Sequence, residues 1–189
     1  SVFFFTFSGY AQDTVEPSLN TEEIELTSWL DSQEENMLEM LERITNINSG
    51  SLNKQGVNEL ASIFGEELRQ LGFSLSTLPG DVIEMPSCPG SDYNVDVADH
   101  ILASKSGSGS KLLMMGHLDT VFPPGSPFQE FSREGDTMYG PGVSDMKGGL
   151  VVMLYALKAL NESGELGDKS ITVLLNSDEE MGSLSSRKY

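Results

Sequence analysis

The sequence holds a single cysteine, Cys88, in 189 residues. No intramolecular disulfide can form, and an iron–sulfur centre has no thiolates to hold it. Cys88 lies in a stretch rich in proline and glycine without basic neighbours, so nothing there activates its thiol as a nucleophile. Basic residues are also scarce: 11 lysines and arginines stand against 29 acids, a net charge of −18. A field of that sign repels phosphate backbones and anionic headgroups, which argues against nucleic acid or a membrane surface as partner. No apolar run is long enough to span a membrane. Histidine occurs only at positions 100 and 117. Most of the acids read as a solvated surface, but a few sit where that explanation is poor.

What is present is enough for one sizeable core, with 38% apolar residues in the chain. Residues 1–8, SVFFFTFS, are densely apolar, and small residues at Gly9 and Ala11 lead into the polar Gln12-Asp13-Thr14. The pattern reads as the back half of a secretory signal peptide over residues 1–11, lacking its basic front, and implies a periplasmic or secreted mature protein. A strand-like N-terminal run is the alternative, and the protein would then be cytoplasmic. Residues 12–20 read as a polar leader, and residues 21–189 as the folded part.

Apolar residues from Ile24 to Ile44 roughly follow the helical period, predicting a helix over residues 21–46. A second amphipathic helix is predicted over residues 54–71, with Val57, Leu60, Ala61, Phe64 and Leu68 on one face and Gly72 as its stop. Residues 73–78 alternate as a half-buried strand does, and residues 95–104 read as another strand after a Pro/Gly/Ser-rich loop. The runs KLLMMG (111–116) and ITVLLN (171–176) suit strands buried on both faces. Between them, residues 148–160 form a strongly apolar helix. Strand, helix, strand argues for an α/β domain with helices on a mainly parallel sheet. Residues 183–189 read as the start of a helix whose apolar body does not follow, as in a piece of a larger domain.

Three segments beside the buried strands carry the chemistry. In Gly116-His117-Leu118-Asp119-Thr120, extended backbone points His117 and Asp119 to one side. A metal-bound imidazole usually donates its other N–H to a carboxylate, yet His-x-Asp alone equally fits a strand-end histidine satisfied by its neighbour. In residues 139–149, YGPGVSDMKGG, glycines and a proline surround Asp145, as a loop needs when it presses a carboxylate into a crowded place. In residues 176–183, three consecutive acids, Asp178, Glu179 and Glu180, end a buried strand and repel one another unless a cation relieves them. An acidic turn before a helix N-terminus is the alternative, fair for Asp178 and poorer for the glutamates. Sites in open α/β sheets gather at the carboxyl ends of strands, where His117 and the Glu179-Glu180 pair both fall. One imidazole with several carboxylates suits zinc, with cobalt or manganese as alternatives.

In order, GHLDTVF, YGPGVSDMKGG and ITVLLNSDEEMGS resemble the signature segments of M20 metallopeptidases. The stretch ending ELRQLGF also resembles that family, and DKSITVLLNSDEEMGSLSSR is similar to its glutamate carboxypeptidase type. The resemblance covers residues 21–189 and implies a zinc-exopeptidase-like α/β domain. Its three layers would hold a mainly parallel or mixed sheet between helices, and this chain would be the N-terminal part. It implies two zinc ions per complete chain, with His117 on one, Glu180 on the other and Asp145 bridging both ahead of a cis peptide bond. Asp119 would orient His117, and Glu179 would serve as general base and acid. His100 matches no ligand position and reads as structural or solvent-exposed. Two further ligands and a lid and dimerisation domain are expected beyond Tyr189, so these residues alone are expected to be inactive. The implied substrate is a small molecule or peptide with a free carboxylate, losing a C-terminal glutamate, and the implied assembly is a homodimer. A deacylase or dipeptidase of the same family is the alternative. From another class, a non-catalytic acidic metal-binding protein remains open, although calcium prefers all-oxygen sites and His117 counts against it.

Overall fold

The computed structural model describes residues 18–85 and 93–189. The signal-like residues 1–11, most of the leader and Cys88 lie outside the described residues. Helix α1 (Thr21–Ser32) opens on a reciprocal cap: the Asn20 side chain accepts from the Glu23 N–H at 2.9 Å, and the Glu23 carboxylate accepts from the Asn20 N–H at 2.8 Å. Helix α2 is Glu34–Thr45. The single helix expected over residues 21–46 is therefore two, broken at Gln33, whose backbone leaves the helical region. The two halves answer to different surroundings, since α1 buries no residue while α2 buries Leu41, Ile44 and Thr45.

Helix α3 (Lys54–Gln70) buries the face foreseen from its periodicity: Val57, Leu60, Ala61, Phe64 and Leu68. Gly72, at φ +81°, turns the chain out of it. The Phe73 N–H reaches back to the Leu68 carbonyl at 3.1 Å, and the two apolar side chains are buried beside that bond. Strand β1 (Ser74–Leu78) follows, then the hairpin-like pair β2 (Val82–Met85) and β3 (Tyr93–Asp96). Strand β4 (His100–Lys105) is separate from β3, so the one strand expected over residues 95–104 is two strands in different sheets. Val97 and Ala98 are fully buried between them, where the Val97 N–H donates to the Asp81 carbonyl at 3.1 Å. Apolar residues continue through the junction between the strands because the crossover is itself buried.

Strand β5 (Lys111–His117), a small pair β6 (Ser132–Glu134) and β7 (Thr137–Tyr139), helix α4 (Gly148–Glu162) and strand β8 (Ser170–Asn176) complete the order. The main sheet runs β1-β4-β8-β5, with β1–β4 and β4–β8 antiparallel and β8–β5 parallel. The domain is α/β with a mixed sheet; among the described residues two of its three pairings are antiparallel, so it is not the mainly parallel sheet expected, and its parallel pair is the β5–α4–β8 unit that the apolar pattern identified. Alternation puts Ala103, Ile171, Val173 and Leu175 on one sheet face, where they share a core with Ile44, Phe64, Leu68, Leu150 and Leu154 from α2, α3 and α4. Apart from Ala103, each such side chain contributes roughly 1.5–3 kcal/mol on burial.

Strand β5 departs from expectation. Its Leu112, Leu113 and Met115 are exposed, not buried on both faces. The reason is position, because β5 is the edge of the described sheet and only β8 pairs with it there. Its opposite end is enclosed: parallel register sets His117 beside Asn176, and the Leu118 N–H extends the ladder to the Asn176 carbonyl at 2.8 Å.

Candidate metal centre

The parallel pair delivers two segments to one place, the carboxyl ends of β5 and β8. At the end of β5, His117 and Asp119 are both buried. The His117 Nδ1 faces the Asp119 carbonyl oxygen at 3.0 Å and Asp119 Oδ1 at 3.4 Å. Held this way, the ring offers Nε2 to the site, and Nε2 meets Asp145 Oδ1 at 2.9 Å. The expected pairing of imidazole and following carboxylate thus runs through both the backbone oxygen and the side chain of Asp119.

Asp145 arrives on the loop between β7 and α4. Gly142 takes φ +79°, and a Cβ there would press on Thr120 and on the stem of Lys147. The Lys147 N–H closes the loop onto the Gly142 carbonyl at 2.6 Å, and the Asp145–Met146 peptide bond is cis. The His117 N–H donates to Met146 Sδ at 3.3 Å, tying the loop to β5. Lys147 turns inward, 1% exposed, and its Nζ donates to the Ile47 carbonyl at 2.8 Å. Burial lowers this ammonium from 10.5 to about 8. The Asp145 side chain itself stays open to solvent.

The acidic segment after β8 divides its labour. Asp178 is fully buried and structural, accepting from the Ser185 and Ser186 N–H groups at 2.6 and 3.3 Å. Glu179 is exposed and Glu180 half-buried. The Glu179 N–H donates to Asp119 Oδ1 at 3.1 Å and the Glu180 N–H to Asp119 Oδ2 at 3.2 Å. One carboxylate therefore anchors both glutamates through their backbone. His100, read as structural or exposed, is completely buried. Its Nδ1 accepts from the Ser177 N–H at 3.1 Å and its Nε2 meets Ser185 Oγ at 3.2 Å, bracing the same segment from behind.

His117, Asp145 and Glu180 bring one ligand atom each to within 4.8 Å of one another. Their electrostatics ask for a cation. Burial raises the Glu180 carboxyl above its ordinary value, and the charge of Asp145 adds to it. Burial opposes a charged His117, but hydrogen bonds and charge from Asp119 and Asp145 outweigh it and push the imidazole up to about 9. A proton thus occupies the place where a divalent ion would do more. The donor set, one nitrogen with carboxylate oxygens, fits zinc.

Two contributors were not identified from the sequence. Ser51, read as part of a loop, is buried with its Oγ 2.7 Å from Asp119 Oδ2. Lys147, seen only as one letter of a motif, is buried under the Asp145 loop. No local pattern marks Ser51, whose partner lies 68 residues away; for Lys147, its place between Asp145 and an apolar helix was the available signal.

The geometry has relatives. Carboxypeptidase G2 of Pseudomonas sp. is 36% identical over 156 residues, which is 80% of this chain and 34% of that protein. A succinyl-diaminopimelate desuccinylase of Gluconacetobacter diazotrophicus is 34% identical over 60% of this chain and 28% of its own length. Among solved structures, a di-peptidase of Saccharomyces cerevisiae superposes with a TM-score of 0.71 at 22% identity, over 85% of this chain and 36% of that one, a likeness of fold. The chain spans about a third of the length of the curated relatives it matches. Residues 113–189, which hold His117, Asp145, Glu179 and Glu180, match the profile of Peptidase family M20/M25/M40, and this segment is similar to that family.

Proposed function

We propose that the protein hydrolyses an amide bond with zinc and releases a C-terminal amino acid, glutamate, from a peptide or N-acyl substrate. The observation that carries this reading is the convergence of His117 Nε2, Asp145 and Glu180 beside the exposed Glu179. His117, Asp145 and Glu180 would hold zinc, with Asp145 shared between two ions in the complete protein. Bound there, zinc supplies Lewis acidity toward the scissile carbonyl and toward water. Asp119 keeps Nδ1 of His117 occupied, so that Nε2 faces the ligand. Glu179, free of the ligand set and fixed by its backbone, takes a proton from the attacking water and returns it to the leaving amine. Water adds across the C–N bond, giving one carboxylate and one amine.

The glutamate preference rests on likeness to carboxypeptidase G2. A second reading, removal of an acyl group from an N-acyl amino acid, draws on the likeness to the desuccinylase. Acyl-glutamates against succinyl and acetyl amino acids separate the two. Secretion and a homodimer formed by a further domain belong to the same proposal. For the mechanism, Glu179→Gln in the full-length protein should lower kcat by about 10²- to 10⁴-fold. Zinc content, read by elemental analysis, should not change. Turnover within about tenfold of wild type would remove Glu179 from the role of base.

A further inference from the structure

We propose that Ser51 is a positioning residue of the metal centre, acting through Asp119; the inference deepens the zinc-hydrolase reading and rests on it. The Ser51 hydroxyl is buried within reach of two acceptors, the Thr120 carbonyl at 3.4 Å and Asp119 Oδ2 at 2.7 Å, and the carboxylate is much the closer. Backbone pairing puts it there. Gly50 bridges Thr120, the Thr120 N–H donates to the Ser49 carbonyl at 2.9 Å, and the Ser51 N–H donates to the Thr120 carbonyl at 3.1 Å. Gly50 permits this approach, because a Cβ would collide with the Phe122 carbonyl oxygen.

A carboxylate offers about four lone-pair sites. In Asp119, Oδ1 faces the Glu179 N–H and His117 Nδ1, while Oδ2 faces the Glu180 N–H and the Ser51 hydroxyl. Each oxygen thus has two partners, and Ser51 supplies the only side-chain hydroxyl among the four. The terminal torsion of an aspartate is soft, so hydrogen bonds must set the plane of the group. That plane fixes three things together: the orientation of His117, the path of the Glu179 backbone and the path of the Glu180 backbone. Without the hydroxyl, Oδ2 keeps one donor and the plane can turn. Ser51 is therefore how the segment before α3 controls ligands on β5 and after β8.

Groups that orient metal ligands typically cost about 10- to 100-fold in metal affinity when removed. Ser51 stands one bond further out, so Ser51→Ala in the full-length protein should weaken zinc about tenfold in competition with a chromophoric chelator. The visible spectrum of the cobalt-substituted protein should shift with it. Ser51→Thr keeps the hydroxyl and should restore both affinity and spectrum. Urea unfolding of the metal-free variants separates a general loss of stability from an effect on the centre, and rescue by threonine decides where both change. Zinc affinity within about twofold of wild type, with an unchanged cobalt spectrum, overturns the proposal, as does equal weakening in the alanine and threonine variants. A wild-type protein that takes up neither metal overturns the zinc-hydrolase reading itself, and Ser51's role with it.

Discussion

Lys147 gives the sharpest test of the physical account, because its cost can be worked from its surroundings. The side chain is 1% exposed and, among the described residues, its ammonium has one hydrogen bond, to the Ile47 carbonyl. Burial brings the group from 10.5 down to about 8 in the folded protein. Keeping it charged at pH 7 therefore costs about 3 kcal/mol. Lys147→Met keeps an unbranched chain of similar length and removes that cost. It also strands the Ile47 carbonyl, a loss of about 1–3 kcal/mol. The metal-free variant should then be about 1 kcal/mol more stable than wild type at pH 7. The sign follows from proton counting. Between about 8 and 10.5 the unfolded lysine holds more proton than the folded one, so wild-type stability rises with pH across that window, and below it the penalty is complete. The methionine variant lacks the rise, and the stability order should invert toward pH 10.5. Urea denaturation of both proteins at a series of pH values, with chelator present, reads the difference, and other titrating groups cancel in it. A difference that stays flat across the window would refute the reasoning.

His117 predicts the opposite slope. Its folded value near 9 lies above the ordinary 6.5, so its contribution to metal-free stability is complete below 6.5 and is lost as pH rises through 9. Zinc must displace that proton, so affinity should climb about tenfold per pH unit below 9, with about one proton released per ion at pH 7. Calorimetry in buffers of different ionisation enthalpy measures the release, and none would contradict the hydrogen-bonded imidazole. In the core, Phe64 is 1% exposed where α3 faces the sheet, and Phe64→Ala should cost about 3–5 kcal/mol in urea unfolding. A loss below about 1 kcal/mol would mean that the α3 face is not packed as described.

The sequence was most legible where a local pattern and a tertiary role coincide. Helix α3 combines a 3.6-residue apolar period with a stop glycine that takes a positive φ. The β5–α4–β8 unit was visible in its apolar runs, and the strand ends located His117 and Glu180. Other features escaped because their cause is remote. The break between α1 and α2 falls in the polar gap between Leu30 and Met37, which a helical period spanning residues 24–44 overrides. Residues 95–104 look like one strand because the crossover at Val97 and Ala98 is as buried as the strands. Ser51 looks like any loop serine until Asp119 is placed beside it. A carboxylate bound to two glutamate amides, an imidazole and a hydroxyl is a three-dimensional fact with no one-dimensional signature.

The open side of β5 bears on how these residues behave in solution. Among the described residues, a strand with no strand partner along one edge, and Leu112, Leu113 and Met115 in water, is a template on which another extended segment can add. Two molecules approaching by this edge are held apart by their common charge of −18. That repulsion reaches only about 8 Å at physiological ionic strength, whereas apolar attraction at contact is not screened. Colloidal stability of the chain on its own should consequently be an electrostatic property sitting over a sticky edge, with dilute salt favouring dispersion and concentrated salt favouring contact through β5.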